Sequence, residues 1–166
     1  MGSFSESMKE FRQQLEKGAI QAAYQGLMQY FRDLRRHFRD AYPQYPVSGS
    51  IYFGYMDMTY FSLVPESLKR RRLKIAIVFV YDSFRFEVWL SGSNRKVQSE
   101  YWKRFSASDW DTYHLASNPR REDYVIDHIL VSHPDFGDLD ALTGQIERGT
   151  LEFIKDVEAA LSELDR

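Results

Sequence analysis

No cysteine occurs in the chain, which excludes disulfides, thiol nucleophiles and thiolate metal sites. That absence suits the cytoplasm, the expected compartment. No apolar run approaches the roughly 18 residues of a membrane span, and the polar first residues lack the apolar stretch of a secretory signal, so no membrane partner is expected. The four histidines, His37, His114, His128 and His133, have no zinc-site spacing and form no His-Glu-x-x-His. There is no Gly-x-Ser-x-Gly elbow; Ser48-Gly49-Ser50 and Ser91-Gly92-Ser93 read as glycine turns. No P-loop or dinucleotide fingerprint is present. A net charge of -2 gives no overall attraction to nucleic acid or anionic membrane.

What remains fits one α+β domain over residues 5–165. The 166 residues suffice for one core, and 28% charged with 43% hydrophobic residues are ordinary globular values. The centre of the reading is Leu73 to Leu90. Leu73, Ile75, Ile77, Phe79 and Tyr81 alternate with Lys74, Ala76, Val78 and Val80; after Asp82-Ser83, Phe84, Phe86, Val88 and Leu90 alternate with Arg85, Glu87 and Trp89. A tight turn at Asp82-Ser83 sets Phe79 opposite Phe86 and Ile77 opposite Val88, which gathers the large apolar side chains on one face. The other face then carries Val80 opposite Arg85, Val78 opposite Glu87 and Ala76 opposite Trp89. Its mixed character makes it the place to look for a site.

Around this hairpin the sequence places helices over Ser5–Lys17 and from Ile20 to Phe38, each with apolar residues at threes and fours, leaving Met1–Phe4 outside the fold. Pro43 and Pro46 stop the second helix. Ile51–Leu63 reads as one strand-like stretch bent at Gly54, and Pro65–Lys69 as a connection with one helical turn. Asn94 caps a helix to about Phe105, with Val97, Tyr101, Trp102 and Phe105 turned inward. Ser106–Arg121 has no stable period. Tyr124–Val131 suits strand or helix and is read as strand. Asp138 caps a terminal helix with a long apolar stripe, in which Gly144 and Gly149 are weak points and a kink is expected near Gly149. The predicted order is α-α-β-β-β-α-β-α, with helices covering a mainly antiparallel sheet.

The segment Phe84-Arg85-Phe86-Glu87-Val88-Trp89-Leu90-Ser91-Gly92, with Asn94-Arg95-Lys96, Tyr101-Trp102 and Ser132-His133-Pro134-Asp135-Phe136, resembles a family of small bacterial proteins with no assigned function. That resemblance supplies no reaction. Helix, three-stranded meander, helix, strand also resembles the core of the restriction-endonuclease-like superfamily. Its active members use an aspartate near the second core strand, a Glu-x-Lys on the third, and magnesium. Glu87 stands on the corresponding kind of strand, but Trp89 occupies the lysine position. Asp57 or Asp82 would supply the second carboxylate, and Lys96 a displaced lysine.

Two uses follow. In the first, a non-enzymatic intracellular binding or interaction protein, Arg85, Trp89, Arg95, Tyr101 and Trp102 hold a protein or an anionic small molecule. In that reading the tyrosines Tyr42, Tyr45, Tyr52, Tyr55, Tyr60 and Tyr113 offer a homodimer face or a peptide groove. In the second, a magnesium-dependent nuclease-like or phosphoryl-processing domain, Asp57 and Glu87 hold Mg²⁺, with Asp82 as a further carboxylate, and Lys96 offsets developing negative charge. Nucleic acid is a partner only here, through the basic set Lys69–Arg72, Arg95, Lys96, Lys103 and Arg104 with Tyr101 and Trp102 stacking. The plainer alternatives are an Arg85–Glu87 ion pair on a solvated sheet face, a solvated basic loop, and tyrosines that cap the sheet's edges.

Overall fold

The computed structural model describes residues 2–166. Its centre is a six-stranded antiparallel open sheet in the order β1-β2-β3-β4-β6-β5. The strands are β1 (Val47–Tyr52), β2 (Met58–Leu63), β3 (Leu73–Val80), β4 (Arg85–Gly92), β5 (His114–Leu115) and β6 (Ile126–Val131). The helices are α1 (Phe4–Glu16), α2 (Ala19–Ala41), α3 (Glu66–Lys69), α4 (Arg95–Ser106) and α5 (Leu139–Leu164). The α+β class is as the sequence predicts.

β3 and β4 take the expected register, with Phe79 opposite Phe86, Ile77 opposite Val88, Val78 opposite Glu87 and Ala76 opposite Trp89. The turn closes by the Phe84 amide donating to the Tyr81 carbonyl at 3.1 Å, which leaves Phe84 at a left-handed φ of 52°. Ile75, Ile77, Phe79, Phe86, Val88 and Leu90 are buried in the main core beneath α2, α4 and α5. There Phe31 stacks on Phe86 at 5.9 Å and meets Phe61 edge-on at 6.2 Å. Tyr30 ties α2 to α5 through a 2.9 Å bond between its hydroxyl and that of Thr143.

The helix starts follow their caps. Ser3 and Glu6 form a capping box, so α1 begins at Phe4 and the first residues belong to the fold; Met1 lies outside the described residues. Asn94 Oδ1 accepts from the Val97 amide, and Asp138 Oδ1 from that of Ala141. Gly149 lets α5 come close to the sheet, since a Cβ there would stand 2.6 Å from Leu130 Cδ2. α5 runs from Leu139 to Leu164 as one helix.

Two departures concern the strands. Ile51–Leu63 is not one bent strand: β1 and β2 are an antiparallel pair joined by a loop. Gly54 sits in that loop at φ 77°, where a Cβ would lie 2.0 Å from the Met58 carbonyl oxygen, so the chain reverses there. β1 is irregular between Ser48 and Tyr52, with Gly49 at φ 61°. The second departure is β5, a two-residue strand in a stretch without periodicity.

Among the described residues, no helix contributes to the apolar cluster on the sheet's second face. Ala76, Val78 and Trp89 form a small separate cluster there, screened by Met58, Tyr60, Val80 and Tyr124. Among the described residues no helix is long and apolar enough to cross a membrane.

Candidate functional site

The uncovered face is built by strand alternation. Arg85, Glu87 and Trp89 are two residues apart on β4 and therefore point the same way. Arg85 Nε donates to Glu87 Oε2 at 2.8 Å and Trp89 Nε1 to Glu87 Oε1 at 2.9 Å, so both carboxylate oxygens are engaged and Glu87 is buried. The expected ion pair forms, but on a desolvated carboxylate and not on a solvated face.

β6 brings Asp127 opposite Trp89, and β5 brings His114 opposite Asp127. His114 Nδ1 lies 2.5 Å from Asp127 Oδ1. Burial raises the Asp127 carboxyl above its ordinary range; the bond to His114 works against this, and the Glu87 carboxyl adds to it. Tyr124 stands 5.1 Å from Trp89, its hydroxyl pushed up by burial and then by Asp127. Asp127, His114 and Tyr124 are site residues that sequence reasoning missed. Their signal was present, a strand with an aspartate at an alternate position, but only the pairing of β6 with β4 gives it a place.

Two concavities open on this face. One, of about 320 Å³, is lined by Tyr52, Tyr60, Lys74, Trp89, Asn94, Arg95 and the carboxylate Asp123, among others. Tyr52 and Tyr60 lie 5.2 Å apart, and Lys74 Nζ stands 5.5 Å from the Tyr60 ring. Among the described residues Lys74 forms no ion pair. Arg95 is held at the rim, donating to the Glu122 carbonyl at 2.6 Å and to Asp123 Oδ1 at 2.8 Å. Gly92 lets the end of β4 close on α4, because a Cβ there would meet the Gln98 amide at 2.6 Å. The second concavity, of about 600 Å³, lies around Arg85, His114, Tyr124 and Asp127.

Arg85, Glu87, Trp89 and Arg95 thus reach this face, and the other expected residues lie elsewhere. Asp57 is in the β1–β2 loop, its carboxylate accepting from the Tyr55 amide at 2.9 Å and thereby held below the usual range. Its carbonyl pairs with the Tyr81 amide, just past the end of β3 and three residues on from Val78, the partner of Glu87. That register sets Asp57 and Glu87 about 14 Å apart across two strand spacings, in the alternation of Thr59 and Phe61 and not of the open face. Asp82 is exposed in the β3–β4 turn, and Lys96 is exposed on α4, beyond a strand end about 16 Å from Glu87. Among the described residues no three His, Asp or Glu side chains are grouped to hold a metal ion.

Tyr101 and Trp102 are not free for stacking. Tyr101 is buried in the main core, and Trp102 Nε1 donates to the Ala116 carbonyl at 2.7 Å. The basic set is partly spent on the end of α5, where Arg71 and Arg104 both pair with Asp165. The tyrosines divide: Tyr42 bonds Glu147 and Tyr113 bonds Asp156 in the helix layer, Tyr52 and Tyr60 face the first concavity, and Tyr55 stands in solvent.

Comparison with curated proteins and with solved structures finds no match, and nothing found bears on a restriction-endonuclease-like relationship. The model of one family, described as a domain of unknown function (DUF7000), matches residues 4–161. The chain therefore belongs to that family, in keeping with the resemblance to a family without an assigned function.

Proposed function

We propose that the protein is a non-enzymatic intracellular binding module, and that the open sheet face holds a small molecule with a planar ring and an anionic group. The observation that carries this reading is Lys74, a cation without an acidic partner among the described residues, standing beside Tyr52, Tyr60 and Trp89 in one concavity. A ring gains stacking and desolvation against such side chains, while a carboxylate or phosphate gains a charge-assisted bond from the ammonium. Asn94 and Gln98 line the same wall with amide groups, although Asn94 already caps α4 and Gln98 already bonds Gly92 and Glu122. A volume of about 320 Å³ matches a compact ligand, at the lower end of the usual range.

Titration calorimetry with indole-3-acetate and with adenosine monophosphate tests the reading. Saturable binding to at least one probe is expected, weakened at least about tenfold in K74M, as befits loss of a charged hydrogen bond. The probe should be recovered chemically unchanged after incubation. No binding of either probe, or equal affinity in K74M, overturns the proposal. Saturable magnesium binding that disappears in E87Q and D57N would favour the phosphoryl-processing alternative.

A further inference from the structure

The other side of the molecule carries a mismatch between a helix and a groove. α1 is specified as a helix by its capping box, yet none of its residues is buried. Phe4, Met8 and Phe11 recur on one stripe with exposures of 82%, 47% and 43%. A helix of this length is marginal in water on its own, about 12–15 residues being the lower limit, and the partial cover that Met8 and Phe11 receive leaves much of the stripe without the packing that usually holds such a helix. Close by lies an apolar groove of about 500 Å³, formed by Tyr24, Leu27 and Tyr30 of α2 with Met56, Phe84 and Phe136 from three different loops. No residue of α1 lines it.

We propose that α1 of one chain seats its Phe4–Met8–Phe11 stripe in this groove of a second copy, and that the exchange is reciprocal. The joint between α1 and α2 argues for a second copy over the same chain. Gly18 takes a left-handed φ of 80°, its amide donates to the Leu15 carbonyl at 3.1 Å, and the Gln21 side chain donates to that same carbonyl at 2.8 Å. These bonds fix the direction of α1 relative to α2 and hold it off its own groove. The partner's surface answers the stripe in kind: the groove is apolar and its rim side chains Met56, Phe84 and Phe136 are themselves exposed. Taking roughly 200 Å² for a large side chain fully exposed, the exposed parts of the stripe and rim, counted for both arms, amount to on the order of 1,300 Å². That falls within the range of about 1,200–2,000 Å² of stable interfaces. A two-fold exchange closes on itself and leaves no unfilled groove.

The chain lacks cysteine, so introduced thiols report without background. Light scattering of the full chain is expected to give twice the 19.6 kDa of one chain. Because α1 contributes no fully buried residue to its own chain, M8E and F11E should fold as before and return the single-chain mass. Mixing F11C chains with M56C chains under mild oxidation should give a covalent heterodimer. A wild-type protein that remains at single-chain mass overturns the proposal. So does an intrachain disulfide at single-chain mass when F11C and M56C are placed in the same chain, which would mean that each arm fills its own groove.

Discussion

Glu87 has its two oxygens divided between a guanidinium and an indole, and the cost of disturbing it depends on which bonds survive. In E87Q the amide oxygen still accepts from Trp89 or Arg85, and removal of one charge relieves the neighbouring Asp127, whose carboxyl Glu87 pushes upward. Both variants take the counter-charge from Arg85, but in E87A the indole N–H and the guanidinium lose every acceptor at this position. Urea unfolding should therefore find E87A destabilised by about 2–3 kcal/mol and E87Q by under about 1 kcal/mol. Equal losses would mean that Glu87 serves only to fill space. Lys74 is the contrasting residue: among the described residues it forms no ion pair, and the proposed ligand site turns on that charge.

At the scale of elements, the two helical glycines of α5 separate propensity from packing. A Cβ at Gly144 would meet only the mobile end of Arg148 at 3.2 Å, whereas one at Gly149 would press on Leu130 of β6 at 2.6 Å. G144A should raise stability by about 1 kcal/mol, the alanine-over-glycine gain; G149A should gain less or lose, since Leu130 must move aside. Thermal unfolding of the two variants gives the order directly. The sequence shows both glycines as weak points and predicts a kink near Gly149, but nothing in it says that one of them lets a strand come close. The same boundary runs through the rest of the fold. The β3–β4 register is legible because Asp82-Ser83 fixes which residues face each other once two alternating runs meet. β1 and β2 escape notice because alternation continues through their loop, from Phe53 and Tyr55 into Thr59 and Phe61, so Gly54 reads as a bend where it is a reversal. That misreading also put Asp57 within a strand, where the structure has a loop. Pairing of β6 with β4 spans the whole of α4 and the loop after it, and no local pattern announces that Asp127 will stand beside Trp89.

Taken as a whole, the molecule holds many of its tyrosine hydroxyls protonated. Burial raises Tyr30, Tyr45, Tyr60, Tyr81 and Tyr101 above the ordinary 10.0. Tyr113 is raised by burial and then by its bond to Asp156, and Tyr42, through its bond to Glu147, is pushed up to about 12. Each such group binds its proton more tightly folded than unfolded. Stability is therefore fully present below pH 10.0 and falls as pH rises toward the folded values. An ultraviolet titration of tyrosinate, followed alongside circular dichroism, should show most tyrosines ionising together with loss of structure; reversible titration near the ordinary value in a folded protein would contradict this. The borders of the sheet have a different consequence. β1 is interrupted where Gly49 turns left-handed, which breaks the ladder of free amides and carbonyls on that margin; on the other, β5 covers only Ile126 and Asp127 and leaves His128–Val131 of β6 without a strand beside them. An incoming strand would meet a broken template at β1 and a short one of four residues at β6, which limits the lateral strand addition that leads to amyloid.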